Sequence, residues 1–424
     1  MKTIFKSALL IALVSMCGSM EAQTRKLDNY REQDKTGINV FESPKDTAST
    51  FENIKVRIGG AFALQYQAID HENADGAADL MPITNNFNLA TANLDLDVAL
   101  AKGLRMHLRT YLSSRHHNET YVKGGYFQVD NLDFIKEGLA SDLMKYVTIK
   151  VGHMEVNYGD THFRRSDNAQ ALFNPFVGNY LMDSFTTEVG GEVYFKKDGF
   201  LAMVGVTNTK LNQSVVSDEV NGNPSPSVIG KLGFDKQLND DLRVRLTGSI
   251  YNTAWATRTY LYAGDRAGAR YYLVMSTPDV TATTDFRSGR YDPSFNNKLT
   301  AIMFNPFVKY QGLEFFGVVE LTNGRNLGET DRRKATQLGA ELLYRFGSHE
   351  NFYFGGRYNS VSAEDVSGYD VDITRFNIGG GWFMTKNVLA KIEYVNQKYD
   401  GFAPGDKLDG GKFNGFVAEA VISF

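Results

Sequence analysis

A single cysteine, Cys17, is all the thiol this sequence offers, and it falls in a stretch expected to be removed. Lys2 and Lys6 form a basic start, Ala8 to Val14 is a short apolar run, and small and polar residues follow to Ala22-Gln23. That order is a secretory signal peptide, too short and wrongly flanked for a membrane-spanning helix. Cleavage is expected after Ala22. A lipidated Cys17 is the alternative, disfavoured by the bulky Met16 before it. After cleavage at Ala22 the chain has no cysteine, which excludes disulfides and thiolate metal sites. No later stretch approaches the roughly 18 apolar residues of a membrane helix, so insertion in a membrane would have to be by β-barrel. Net charge is only −4, which argues against a nucleic-acid partner. The seven histidines are scattered without metal-ligand spacing.

What is present is alternation. In Ile54 to Ile69, Ile54, Val56, Ile58, Phe62, Leu64 and Tyr66 share one face, and Lys55, Arg57, Ala63, Gln65 and Gln67 the other. Successive strand side chains point to opposite faces, so such a strand has one apolar and one wet side. Leu94, Leu96, Val98 and Leu100 repeat it against Asn93, Asp95 and Asp97. After the turn Ala101-Lys102-Gly103, Leu104, Met106 and Leu108 alternate with Arg105, His107 and Arg109. A three-residue turn sets Asp97 opposite His107 and Asp95 opposite Arg109, so polar faces meet.

Further strands are expected at 121–134, 144–156, 185–196, 200–209, 227–237, 241–253, 298–310, 313–323, 335–346, 352–362, 371–384, 388–398 and 412–424. The total is about 16, an even number as bacterial outer-membrane barrels require. Links alternate in length: 101–103, 197–199, 238–240, 311–312, 347–351 and 385–387 are short, while 70–86, 157–184, 210–226, 255–297 and 399–411 are medium or long. Short periplasmic turns and longer outer loops give that phase. Residues 136–144 form a longer turn that reads as a brief helix. Thr257–Tyr262 and Arg270–Met275 flank Gly264-Asp265-Arg266-Ala267-Gly268 and read as a hairpin above the membrane; were both to cross it, the count would be 18. The chain ends on Phe416, Ala418, Ala420, Ile422 and Phe424 on one face, which resembles the targeting signature of Gram-negative outer-membrane barrels. The alternative, a secreted β-sandwich, would bury its apolar faces in a core.

The fold class expected is therefore all-β: a transmembrane antiparallel barrel over 54–424, after a signal peptide (1–22) and a polar periplasmic leader (23–53), flexible or loosely docked. A lumen plug is the alternative for this leader, though the segment is short, and it is too short for the folded plug of an energy-coupled receptor. The long link 157–184 has no periodicity but carries aromatics, Pro and paired charges, so it is expected to fold into the lumen and narrow it. Its charged members, Asp160, His162, Arg164, Arg165 and Asp167, are the candidate constriction. Asp160 and Asp167 flank the arginines and would hold one while the other stays free.

The block Val151-Gly152-His153-Met154-Glu155-Val156-Asn157-Tyr158-Gly159-Asp160, followed by His162-Phe163-Arg164-Arg165-Ser166-Asp167-Asn168, resembles barrel proteins of Bacteroidetes-type bacteria related to the phosphate-selective porin O and P family. The resemblance implies a roughly 16-stranded porin, often a homotrimer. The family's phosphate selectivity rests on a dense ladder of arginines and lysines. Only partial ladders occur here, so that selectivity does not carry over.

Barrels of this size enclose an aqueous channel. The wet faces supply candidate pore walls: Lys55, Arg57, Asp95, Asp97, Arg105, His107, Arg109, Glu188, Glu192, Arg243 and Arg245, with Glu314, Glu320, Asp372 and Glu393 as further acids. They would set a field that sorts small hydrophilic or charged solutes. Taken singly, each is better read as paired with a neighbour and stiffening the wall. The function expected is a passive porin of the Gram-negative outer membrane, surrounded by lipid and lipopolysaccharide, with no cofactor, metal or catalytic residue. Alternatives are a barrel hydrolase using His71, His116, His117 or His162, and a structural or adhesin barrel with a filled lumen. A hydrophobic-solute transporter would want an apolar lumen, against these charged faces.

Overall fold

The alternation becomes one closed sheet in a computed structural model that describes residues 26–46, 48–88, 90–113, 120–167, 170–209, 224–263, 270–282 and 284–424. The strands are β1 (Lys55–Glu72), β2 (Asn86–Phe87), β3 (Thr91–Ala101), β4 (Leu104–Ser113), β5 (Tyr121–Val129), β6 (Val147–Glu155), β7 (Thr187–Lys197), β8 (Phe200–Thr207) and β9 (Ser227–Gln237). They continue as β10 (Leu242–Thr253), β11 (Lys298–Tyr310), β12 (Leu313–Arg325), β13 (Arg333–Phe346), β14 (Phe352–Glu364), β15 (Asp370–Phe383), β16 (Val388–Asp400) and β17 (Lys412–Ser423). Each pairs antiparallel with its neighbour, and β1 with β17 closes the ring. The two-residue β2 pairs with β1 in line with β3, so sixteen strands form the wall. The signal peptide, Asn168, His116-His117 and Gly264–Gly268 lie outside the described residues.

The pattern is inside-out relative to a water-soluble protein. In β13, Gln337, Glu341 and Arg345 are buried while Leu338, Leu342, Tyr344 and Phe346 are exposed. An apolar outer band around a polar interior rules out the β-sandwich and is what a bilayer demands. Aromatic rings mark the short-turn end: Tyr344, Phe346, Phe352 and Trp382 stack in series at 6.0, 5.7 and 6.0 Å between centroids. Phe346 faces Phe352 and Phe352 faces Trp382 across strand pairs. Such rings suit a membrane–water boundary.

The β3–β4 turn gives the register read from the sequence, with Asp95 opposite Arg109 and Asp97 opposite His107. In the β7–β8 turn, Asp198 and Gly199 both take positive φ (52° and 91°), the two-residue hairpin geometry that matches strand twist. The expected brief helix is α1 (Ser141–Met144). Phe424 exchanges two 3.0 Å backbone hydrogen bonds with Gly60 at the seam.

One expectation fails. The described residues of 254–297 contain no strand, and both flanks of the expected hairpin turn into the barrel rather than stand above it. Tyr262, Tyr271, Val274 and Met275 are all buried. The tyrosine hydroxyls reach the wall carboxylates Glu320 (2.8 Å) and Glu393 (2.5 Å), and the Tyr272 carbonyl accepts from Gln67 (2.9 Å). Apolar ring bodies with polar tips are better satisfied in this lumen than in water above it. The sixteen-strand count stands.

Candidate functional site

The long link after β6 folds into the lumen, as its composition suggested; nearly all of residues 156–187 are buried. It turns inward at Gly159, whose φ is +68° and where a Cβ would lie 2.3 Å from Met303 Sδ, so only glycine fits. Next comes its anchor. The Asp160 carboxylate accepts from Arg245 Nε and Nη2 (both 2.8 Å), Thr247 Oγ1 (2.8 Å) and Lys231 Nζ (2.9 Å). Burial alone would raise its pKa; the Arg245 and Lys231 charges outweigh that and hold it below the usual carboxylate range.

The adjacent arginines diverge. Arg164 Nη2 lies 2.7 Å from Glu314 and 2.5 Å from Glu341, and Nη1 donates to Asn39 Oδ1. Arg165 clasps Asp183 with two bonds of 2.7 and 2.5 Å. Neither is free, and neither takes Asp160 as partner, because wall carboxylates and Asp183 lie closer. Asp167, the other flanking aspartate, lies 3.7 Å from Arg165 and also binds Lys123 and, at 3.2 Å, Arg109. His162 lies between Glu155 (2.5 Å) and Asn157 (3.0 Å).

The wall residues named from sequence mostly face inward and are paired. Asp97 meets His107 at 2.9 Å, Arg105 at 3.4 Å and Arg57 at 3.9 Å; Asp95 holds Arg109 through two 2.8 Å bonds. Arg243 binds Asp235 at 2.8 Å, and Arg245 adds Glu42 at 2.8 Å. Glu188 has no cationic partner among the described residues: it accepts from Thr207 and, at 2.7 Å, from Tyr251. Glu192 accepts from the Asn157 backbone (2.9 Å) and Tyr194 (2.5 Å). Lys55 is not a lumen residue; it sits at the rim and donates to the Thr50 carbonyl at 2.5 Å. Asp372 faces outward, accepting from Ser362 at 2.5 Å, because the β15 alternation puts Val371, Ile373 and Arg375 inside.

The leader proves to be a lumen element. Tyr30 Oη accepts from Arg57 at 2.9 Å; Lys45 donates to the carbonyls of Asp130 (2.7 Å) and Val147 (2.6 Å). Lys35 reaches Asn351 at 2.7 Å, and Phe41 is buried against Phe163 and Phe307. Glu42 binds Arg245 in bidentate fashion (2.8 and 2.9 Å), and Lys231 lies 3.5 Å away. Burial would raise its carboxyl; Arg245 and Lys231 hold it down at about 2. The sequence allowed a loosely docked leader or a short plug but could not name its partners, which lie in distant strands.

Between leader, inward loop and the β3–β7 wall lies a cavity of about 160 Å³. A larger space of about 420 Å³ sits at the short-turn rim, lined by Lys35, Arg243, Lys309, Arg345 and Glu350, away from the loop. The smaller one collects the expected residues Asp97, Arg105, His107, Arg109, His162, Arg165 and Asp167, and adds Arg31, Glu42, Lys123, Lys150 and Glu155. Lys150 carried a signal, since it shares the polar side of β6 with Thr148. Each lining carboxylate already has a partner: Glu42 with Arg245, Asp97 with His107, Glu155 with His162, Asp167 with Lys123. Among the described residues, Arg31 and Lys150 have no carboxylate within 4.0 Å. Arg31 donates only to the carbonyls of Gly37 (3.0 Å) and Phe163 (2.9 Å), and burial pushes its pKa down to about 10. Lys150 rests on the rings of Tyr126 and Tyr194. No cluster of three or more metal-ligating side chains occurs among the described residues.

No protein-family model matches the sequence, and a comparison with curated proteins finds no match. Solved structures do match. The outer membrane channel DcaP of Acinetobacter baumannii superposes with a TM-score of 0.53 at 12% identity, covering 88% of this chain and 98% of that one. The anion-selective porin from Comamonas acidovorans gives 0.51 at 10% identity, covering 88% and 100%. OmpT, an outer membrane protein of Vibrio cholerae, gives 0.50 at 12%, covering 88% and 99%. At such identities the likeness shows the fold alone: this chain has the fold of outer-membrane porins, a transmembrane barrel of the Gram-negative outer membrane.

Proposed function

We propose that the chain is a passive channel for small hydrophilic or charged solutes, with a secreted precursor cut after Ala22, a leader over 23–53 and a barrel over 54–424. The observation that carries this reading is the polar cavity beside the inward loop, inside a wall whose outer face is apolar. Its lining holds six arginines and lysines against four carboxylates, so solutes of negative charge are favoured. The likeness to the phosphate-selective porin family extends, in this reading, to the barrel and inward loop and to assembly as a homotrimer amid lipid and lipopolysaccharide. It does not extend to phosphate selectivity, since most lumen arginines are neutralised by a neighbouring carboxylate.

A second reading is a barrel filled for structural or adhesive purposes. It is favoured by the leader and by the described residues of 156–186 and 254–297, many of them buried inside the wall. Planar-bilayer recording separates the two. Stepwise conductance increments with a reversal potential toward anion preference support the channel; incorporated barrels without steps support the filled barrel. A hydrolase would need a nucleophile beside an activated base. His162 is instead bound between Glu155 and Asn157, and His71 between Met81 and Met275 backbone atoms.

A further inference from the structure

We infer that the cavity between Arg31 and Lys150 is a binding site for a small organic carboxylate, completed by the leader. The inference rests on the channel reading for its purpose, but the site itself stands on local chemistry. Two cations line one cavity of about 160 Å³ with no carboxylate partner among the described residues, while every carboxylate on the lining is already engaged. Both cations line the same small space, and an anion held there would be attracted by each. The Arg31 Nη1 nitrogen has no hydrogen-bond partner among the described residues, and a guanidinium edge suits a carboxylate.

The rings decide the class of anion. Arg31 lies 4.1 Å from the centroid of Phe173, and Lys150 lies 5.5 and 5.1 Å from Tyr126 and Tyr194. The cations take one face of each of those rings, and Phe41, Phe163 and Phe185 add further ring surface to the lining, which a small hydrated inorganic anion would leave unused. A carboxylate on a flat or apolar body places its charge between the cations and its body on the rings, the usual division of labour in a small-molecule pocket. Since Arg31 belongs to the leader and Lys150 to β6, occupancy also ties the leader to the wall.

Calorimetric titration of the folded full-length protein in detergent with benzoate tests this, with heat-modifiable migration as the check on folding. Benzoate binds and neutral benzyl alcohol does not. Arg31→Gln and Lys150→Gln each weaken benzoate about tenfold, as expected for losing one charged hydrogen bond. Lys150→Arg restores binding, which a packing defect would not allow. Unchanged benzoate affinity in both folded Gln variants overturns the site. Inorganic phosphate binding as tightly as benzoate, with Tyr126→Leu altering neither, overturns the assignment to an organic anion. Benzoate binding by a barrel that shows no conductance steps upholds the site and removes the channel; conductance with no benzoate binding does the reverse.

Discussion

The two sides of the lumen differ in how they deal with charge. Against β12–β14 the space is dry: Arg164 and Arg345 share Glu314, and Arg164 and Arg357 share Glu341, all within 6% exposure. Against β3–β7 the same inward loop leaves a cavity, and its lining keeps cations without carboxylates. The difference teaches that one loop has two tasks: its dry side is fastened by ions it cannot afford to lose, and its wet side is left to meet solutes. A buried pair is weak evidence for stability, but breaking one leaves an uncompensated charge.

Glu341→Ala strips a carboxylate from both Arg164 and Arg357 on the dry side. It should destabilise by about 3–5 kcal/mol in urea unfolding. Asp95→Ala on the wet side leaves Arg109 with Asp167 and Gln170, and should cost only about 1–2 kcal/mol. Equal losses would erase the distinction between the sides.

The outer surface should be blind to that distinction. Leu338→Arg in β13 and Leu96→Arg in β3 each sit mid-strand on the lipid face and should each cost about 2–4 kcal/mol. A much smaller loss at Leu96, measured in the same vesicles, would mean that the β3 face is covered by something other than lipid.

Glu42 fastens the leader from the cavity lining to Arg245. Its carboxyl is depressed to about 2 in the docked leader, below its ordinary 4.5, so its contribution is complete above about 4.5 and is lost as pH falls toward 2. Proteolysis of the leader by an acid-active protease should therefore accelerate between pH 4.5 and 2. In Glu42→Gln that acceleration should be absent. The smallest effect is expected from Lys123→Gln, which removes one wet-side cation but not Asp167. The reversal potential in a salt gradient should shift slightly toward cations, most at low ionic strength. A shift larger than that of Arg31→Gln would move the selective point from the leader to the β5 wall.

The strands and the Asp95–Arg109 and Asp97–His107 pairs were legible in the sequence because period two and a three-residue turn fix them locally. That the loop lies inside was legible from its length and composition. Which charge meets which was not: Asp160 finds Arg245, 85 positions away, and Arg164 finds Glu341, 177 away. The loop-internal pairing expected of the arginines holds for Arg165, which meets Asp183 and lies 3.7 Å from Asp167, but Arg164 goes to wall carboxylates that local sequence cannot name. The leader's partners and the inward course of residues 254–297 escaped notice for a related reason. These segments have no periodicity, and what retains them is a wall that exists only after folding.

The leader's partners go almost all the way round the short-turn end: Arg57 on β1, the Val147 carbonyl on β6, the Lys196 side chain on β7, Arg245 on β10, Asn351 before β14 and Ser423 at the end of β17. Ser423 and Gly60, which faces Phe424, belong to the first and last strands, and they come together only when the ring shuts. The leader precedes every strand of the barrel in the sequence, yet its contact with Ser423 on β17 sits at the seam where the ring closes. Its docking therefore reports completion, and a chain stalled before closure would carry an exposed, protease-sensitive tail that marks it as unfinished.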